Sequence, residues 1–207
     1  MKSLLSFTML IIAIVAITII VSSATLYEGT QTTEKITEED LQEMIETVYA
    51  DVSSYMNIDD ILGKFHRVQQ DRLIKQIAIQ LHPQFSTNIK LSELMIELSN
   101  GNQIIFLDHN GCCADISNET LFNHGLWDNL GNNSFGILSI FDDDNSMKQS
   151  HLINQHSDRL FIIFKIPHSL KLQRGDTIKI NLYPSIGVKK ELDIKIPFSV
   201  DPVLSLW

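Results

Sequence analysis

Three shortages bound what this 207-residue chain can be. Basic charge is the first: 16 Lys and Arg stand against 25 Asp and Glu, giving a net charge of −9 with no basic stripe. A phosphate-binding surface needs clustered positive charge, so nucleic acid is excluded as a partner. Cysteine is the second, limited to the neighbours Cys112 and Cys113. Adjacent cysteines close only a small strained ring, which leaves two free thiols, one intermolecular bond or a soft metal contact. The third is catalytic signature. Nothing resembles a nucleophile elbow, a phosphate loop, a metalloprotease helix or a dinucleotide fingerprint. No residue takes a catalytic role, and the chain reads as non-enzymatic and without a cofactor.

Charge is also missing, locally, from Leu4 to Val21 (LLSFTMLIIAIVAITIIV), and no Gly or Pro occurs before Gly29. A helix over this run is about 27 Å long, near the thickness of a bilayer hydrocarbon core. Only Met1, Lys2 and Ser3 precede it, so the positive-inside bias keeps the N-terminus cytoplasmic and exports the rest of the chain. The other reading is a removed signal peptide, with Ser22-Ser23-Ala24 as a small-residue cleavage site. The run exceeds the usual apolar core of such signals and favours a retained helix, either in lipid or packed among like helices.

Thr37-Glu38-Glu39-Asp40 has the composition of a helix start, and Leu41, Met44, Ile45, Val48 and Val52 follow at steps of three and four. Residues 4–56 are therefore expected as a hydrophobic and then amphipathic helix after a short leader, 1–3. From residue 57 to 207 the texture changes to short apolar runs between turn residues. Strands are expected at Ile58–Leu62, Leu73–Leu81, Leu94–Leu98, Gln103–Leu107, Gly136–Phe141, Leu160–Ile166, Thr177–Leu182 and Leu192–Ile196. Asn100-Gly101 predicts a two-residue type I′ hairpin, and Arg174-Gly175-Asp176 a turn between strands. The fold class expected is α+β: a long N-terminal α-helix followed by an antiparallel β-sandwich.

Few residues carry chemistry. Asp142, Asp143 and Asp144 close an expected strand and form the best oxygen-donor cluster, either a solvated loop or a site for a structural Ca²⁺, though without the spacing of a helix-loop-helix calcium site. The seven histidines are scattered, and His109 lies near the cysteines in HNGCC, a metal hint. Asn118-Glu119-Thr120 and Asn132-Asn133-Ser134 match the N-glycosylation pattern, making Asn118 and Asn132 glycan acceptors on an exported loop.

The stretch from Met56 to Gly101 resembles the central region of archaellins, the archaeal flagellins. It leads to Gly63, runs an alternating strand from Ile74 to Pro83, and reaches the block Ile89-Lys90-Leu91-Ser92-Glu93-Leu94-Met95-Ile96-Glu97-Leu98-Ser99-Asn100-Gly101. The end is similar too: Gly175-Asp176 before TIKINL, Pro184-x-x-Gly187, and IPFSVDPVLSLW. The resemblance implies a type IV pilin-like subunit of the archaellum filament. Its N-terminal helices would pack with copies of itself and sister archaellins, after membrane anchoring, with glycosylated β domains outside and the surface layer as a further partner. The family leader ends in a basic residue and Gly; Lys2-Ser3 stands there, which puts processing between Ser3 and Leu4. A membrane-anchored accessory protein, whose β-sandwich binds the surface layer or filament, is the alternative.

Overall fold

The computed structural model describes residues 41–45, 48, 56–68, 71–86, 88–116, 120–185, 188–199 and 201–206. Leu4–Val21, the processing position Ser3/Leu4 and Asn118 lie outside the described residues. Residues 41–45 and 48 are helical, in keeping with the amphipathic pattern there.

The chain continues as eleven strands: β1 (Met56–Val68), β2 (Asp71–Pro83), β3 (Ile89–Lys90), β4 (Met95–Ser99), β5 (Ile104–Asp115), β6 (Ser134–Phe141), β7 (Leu152–Ile153), β8 (Arg159–Lys165), β9 (Thr177–Tyr183), β10 (Lys190–Lys195) and β11 (Val203–Ser205). Nine of them form one sheet in the order β10-β9-β4-β5-β6-β8-β2-β1-β11, while β3 pairs with β7. Each of the eight strands expected from the short apolar runs is present.

The fold class is corrected by this arrangement. Among the described residues the chain is mostly β, and no helix is long and apolar enough to cross a membrane. The expected antiparallel sandwich of two sheets is instead one sheet curled about its own core, with β5 and β6 running parallel. Bulges supply the bending that an extended reading of each strand misses. They interrupt the pairing of β1 with β2 at Ile58/Asp60 and Lys64/Phe65, of β5 with β6 at His109/Cys113, and of β6 with β8 at Ser139/Phe141. Each one bends its strand and raises the local twist.

The curl is visible in the core itself. A single cluster joins Ile61 and Phe65 of β1, Ile77 and Ile79 of β2, Ile96 of β4, Phe135 of β6, Ile162 of β8 and Ile194 of β10. The opposite face of the sheet's middle is also covered. The connection from β5 to β6 folds into two 3₁₀ turns, Leu121–Asn123 and Gly125–Asn129, whose Phe122, Leu126 and Trp127 pack with Leu130 on Ala78, Leu138, Phe161 and Ile163. β8 therefore reads LFIIF without a polar break: Leu160, Ile162 and Phe164 face the inner cluster, Phe161 and Ile163 the outer one. Strands buried on both faces lose polar alternation for this reason. Gly136 leaves room for Leu126 and Leu130, since a Cβ there would meet their methyl groups at 3.2 and 3.1 Å.

The β4–β5 hairpin differs from expectation in its turn. Backbone N–H of Asn100 donates to the carbonyl of Gln103, which makes Gly101 and Asn102 the central pair, and Gly101 alone of them takes positive φ, at 86°. Glycine in the first central place is the type II′ pattern, not the type I′ that Asn-Gly suggests. The Asn100 side chain decides it by accepting from the N–H groups of Asn102 and Gln103.

Candidate functional site

The HNGCC segment lies inside β5, where the pairing with β6 slips. His109 is opposite Phe135, and Cys113 is opposite Ile137. Four steps along β5 thus match two along β6, and the surplus is taken up at Asn110, Gly111 and Cys112. The Asn110 carboxamide oxygen accepts from the Cys112 N–H at 3.0 Å, and Gly111 sits at φ 76°, a conformation that costs other residues about 1–2 kcal/mol. On a regular strand, residues four apart are separated by about 13 Å. Here His109 Nε2 lies 3.8 Å from Cys113 Sγ.

A third donor arrives from outside the strand. The short helix Ser146–Ser150 ends on His151, which takes the left-handed conformation at φ 54° and places Nδ1 3.3 Å from Cys113 Sγ. The backbone holds it there, since the His151 carbonyl accepts from Leu91 N–H at 2.8 Å. The His109 and His151 rings meet edge to face at 5.6 Å, and His109 also packs on Phe135. One ligand atom from each of His109, Cys113 and His151 lies within 4.8 Å of the others. All three are half-buried.

Their surroundings set their protonation. Burial first, then the neighbouring Cys112 and Asp142, push the Cys113 thiol up to about 12. Burial first, then His151, lowers His109, and the backbone of Cys112, acting as an acceptor, offsets part of this. A protonated thiol beside a neutral imidazole is a poor nucleophile. A cation among the donors would reverse this by drawing the thiol proton off.

The two cysteines face opposite ways, as neighbours on a strand must. Cys113 packs against the inner cluster and Cys112 against the outer one, and both are free.

The acidic run lies close by, at the start of the same short helix. Asp142 accepts from the N–H groups of Ser146 and Met147, and Asp144 accepts from Ser146 N–H and, at 2.7 Å, from the Asn154 carboxamide. These bonds depress Asp144 well below the usual carboxylate range, the Asn154 bond most, while burial raises Asp142. The two carboxylates thus receive the open N–H groups of a helix start, and Asp143 is exposed beside them. Asn132 is exposed on the turn before β6.

Spacing alone could raise only the His109–Cys pair. His151 has no sequence signal linking it to β5; the single hint is that Asn110-Gly111 is a turn dipeptide set within a strand.

No protein-family model matches the chain, and no curated protein matches it in sequence. Solved structures do match. The crystal structure of the archaeal flagellin FlaB1 from Methanocaldococcus jannaschii aligns with a TM-score of 0.64 at 16% identity, over 73% of this chain and 95% of that one. The archaeal flagellum of Methanospirillum hungatei strain JF1 aligns with a TM-score of 0.53 at 13% identity, over 98% of each chain. The fold is archaellin-like. The archaellum periplasmic stator protein FlaG from Sulfolobus acidocaldarius aligns more weakly, with a TM-score of 0.37 at 13% identity over 67% of this chain and 97% of that one. Among the described residues, His109 and Cys113 lie in the parallel β5–β6 pair, with Cys113 packed against the inner cluster.

Proposed function

We propose that this chain is a structural subunit of an archaellum filament, assembling through its N-terminal apolar segment and serving swimming motility from outside the cell. The observation that carries the reading is the pairing of an archaellin-like β domain with an exposed apolar helical stripe. Met44, Ile45 and Val48 are exposed to 45, 55 and 59%, on one helix face. Ahead of them runs the charge-free segment Leu4–Val21. Both need apolar partners, and many copies of one chain supply them to each other at about 25 cal/mol per Å² of apolar surface removed from water.

In this reading the chain is held in the membrane before assembly, with its β domain outside, and its partners are copies of itself and sister subunits. Asn132, exposed on its turn, is a glycan acceptor on the outer surface of the filament. The test is Ile14→Glu in the native host. A charge at the middle of an apolar span costs about 2.5–3.5 kcal/mol at insertion and is harsher in a dry bundle. Filaments should lose this chain while the β domain keeps its fold. Unimpaired incorporation of the variant would overturn the reading, and retention of function in the membrane without filaments would favour the anchored accessory protein.

A further inference from the structure

We propose that His109 Nε2, Cys113 Sγ and His151 Nδ1 bind a zinc ion, with water completing a four-coordinate site. A tetrahedral zinc with bonds of about 2.3 Å to sulfur and about 2.05 Å to nitrogen sets S and N donors about 3.6 Å apart, and two N donors about 3.3 Å apart. The Cys113 sulfur already lies 3.8 Å from one imidazole nitrogen and 3.3 Å from the other, and all three atoms fall within 4.8 Å. Shifts of a few tenths of an ångström at the sulfur, and a somewhat larger swing between the two rings, complete the triangle.

Three features separate this cluster from a chance meeting of polar side chains. The β5 bulge, besides bending its strand, brings together two donors that a regular strand would hold apart. His151 is held at φ 54° as the cap of the short helix, so the backbone sets where its imidazole lies beside Cys113. The His109 ring is held by packing on Phe135, with ring centres 5.4 Å apart, which limits how it can turn. Softness selects the metal. One thiolate and two imidazoles suit zinc, whereas calcium and magnesium take oxygen donors.

The chemistry of loading is an exchange. The sulfur–hydrogen bond of Cys113 breaks, its proton passes to solvent, and a sulfur–metal bond takes its place, while both imidazoles bind neutral and zinc loses water. No electron moves. The ion would fasten the β5 bulge to the residue that ends the Ser146–Ser150 helix, adding to the Lys148–Asp115 pair at 2.7 Å that also joins the two segments. With three protein donors, the fourth position stays open to water.

The test uses the full chain, purified in mild detergent with a non-chelating reductant, stripped with a chelator and titrated with Co²⁺. Tetrahedral cobalt bearing a thiolate gives visible ligand-field bands and a near-ultraviolet sulfur-to-metal band. Both should appear at one ion per chain and vanish on adding zinc, and zinc should raise the thermal midpoint. Cys113→Ser should remove the sulfur band and weaken zinc by more than the about 10–100-fold that loss of a supporting group costs. His151→Asn keeps a residue that tolerates the left-handed conformation, so it should fold and still lose tight binding. Cys112→Ser should change neither readout. The proposal is overturned if the wild-type chain gives no bands, if they survive in Cys113→Ser or His151→Asn, or if Cys112→Ser abolishes them. Preference for Cu²⁺ with an intense visible thiolate band over zinc in direct competition would overturn the assignment of the metal.

Discussion

Replacing Trp127 with alanine removes the centre of the cap that covers the outer face of β2, β6 and β8. The side chain is 3% exposed, stacks on Phe122 with ring centres 5.7 Å apart, and donates its indole N–H to the Leu121 carbonyl at 2.7 Å. Truncations of large buried aromatics cost about 3–5 kcal/mol. Part of that here is the orphaned Leu121 carbonyl, and the rest is lost contact with a sheet face that cannot collapse inward. Against a typical total of about 5–15 kcal/mol this is a large fraction. At about 2–4 °C per kcal/mol for a domain of this size it lowers the thermal midpoint by about 6–20 °C. Trp127→Phe separates the contributions, since it keeps a ring against Phe122 and forfeits the hydrogen bond, worth about 1 kcal/mol. Urea unfolding of both variants and the wild type, followed by far-ultraviolet circular dichroism, measures the differences. A loss under about 1 kcal/mol for Trp127→Ala, with an unchanged denaturant slope, would refute the packing of this cap.

Other consequences are equally open to measurement. Gly111→Val strains a residue at φ 76° and should cost about 1–2 kcal/mol while loosening the bulge, seen as faster amide exchange at residues 109–113. Glu97 accepts from the Tyr183 hydroxyl at 2.7 Å and the Asn181 carboxamide at 3.1 Å, and the Tyr183 bond is the main cause that raises Tyr183; in Glu97→Gln the tyrosine should titrate lower, read by ultraviolet absorbance. Asp144 is depressed in the folded state, so its contribution is present above the unfolded carboxylate value of about 3.9 and is lost as pH falls below it. The stability gap between wild type and Asp144→Asn should therefore narrow as thermal scans are taken from pH 6 to pH 3.

The sequence carries the strands well because one face of most of them is wet. LIKQIAIQL alternates, and it became β2, with Ile77, Ile79 and Leu81 inward. Its neighbour β8 was legible for the opposite reason, as an unbroken apolar run bounded by polar residues. Hidden were features set by partners far along the chain. Nothing in β5 and β6 taken singly says that they run parallel, and the short β3, β7 and β11 are too brief for any period to register. Asn100-Gly101 suggested the right hairpin and the wrong turn, because its asparagine was used as a side-chain acceptor, not as a positive-φ residue. The candidate site was half visible. HNGCC placed His109 beside the thiols, but the bulge that joins His109 to Cys113, and the helix end that adds His151, exist only in the folded chain. Asp142 and Asp144, which read as oxygen donors, meet the open N–H groups of that helix.

The central claim is assembly, and the most direct measurement is to shear filaments from the cells, pellet them, and identify this chain and its N-terminus by mass spectrometry. Recovery in the pellet, with a start at or near Leu4, is the result expected of a filament subunit. Absence from the pellet, with the intact N-terminus in the membrane fraction, would contradict it.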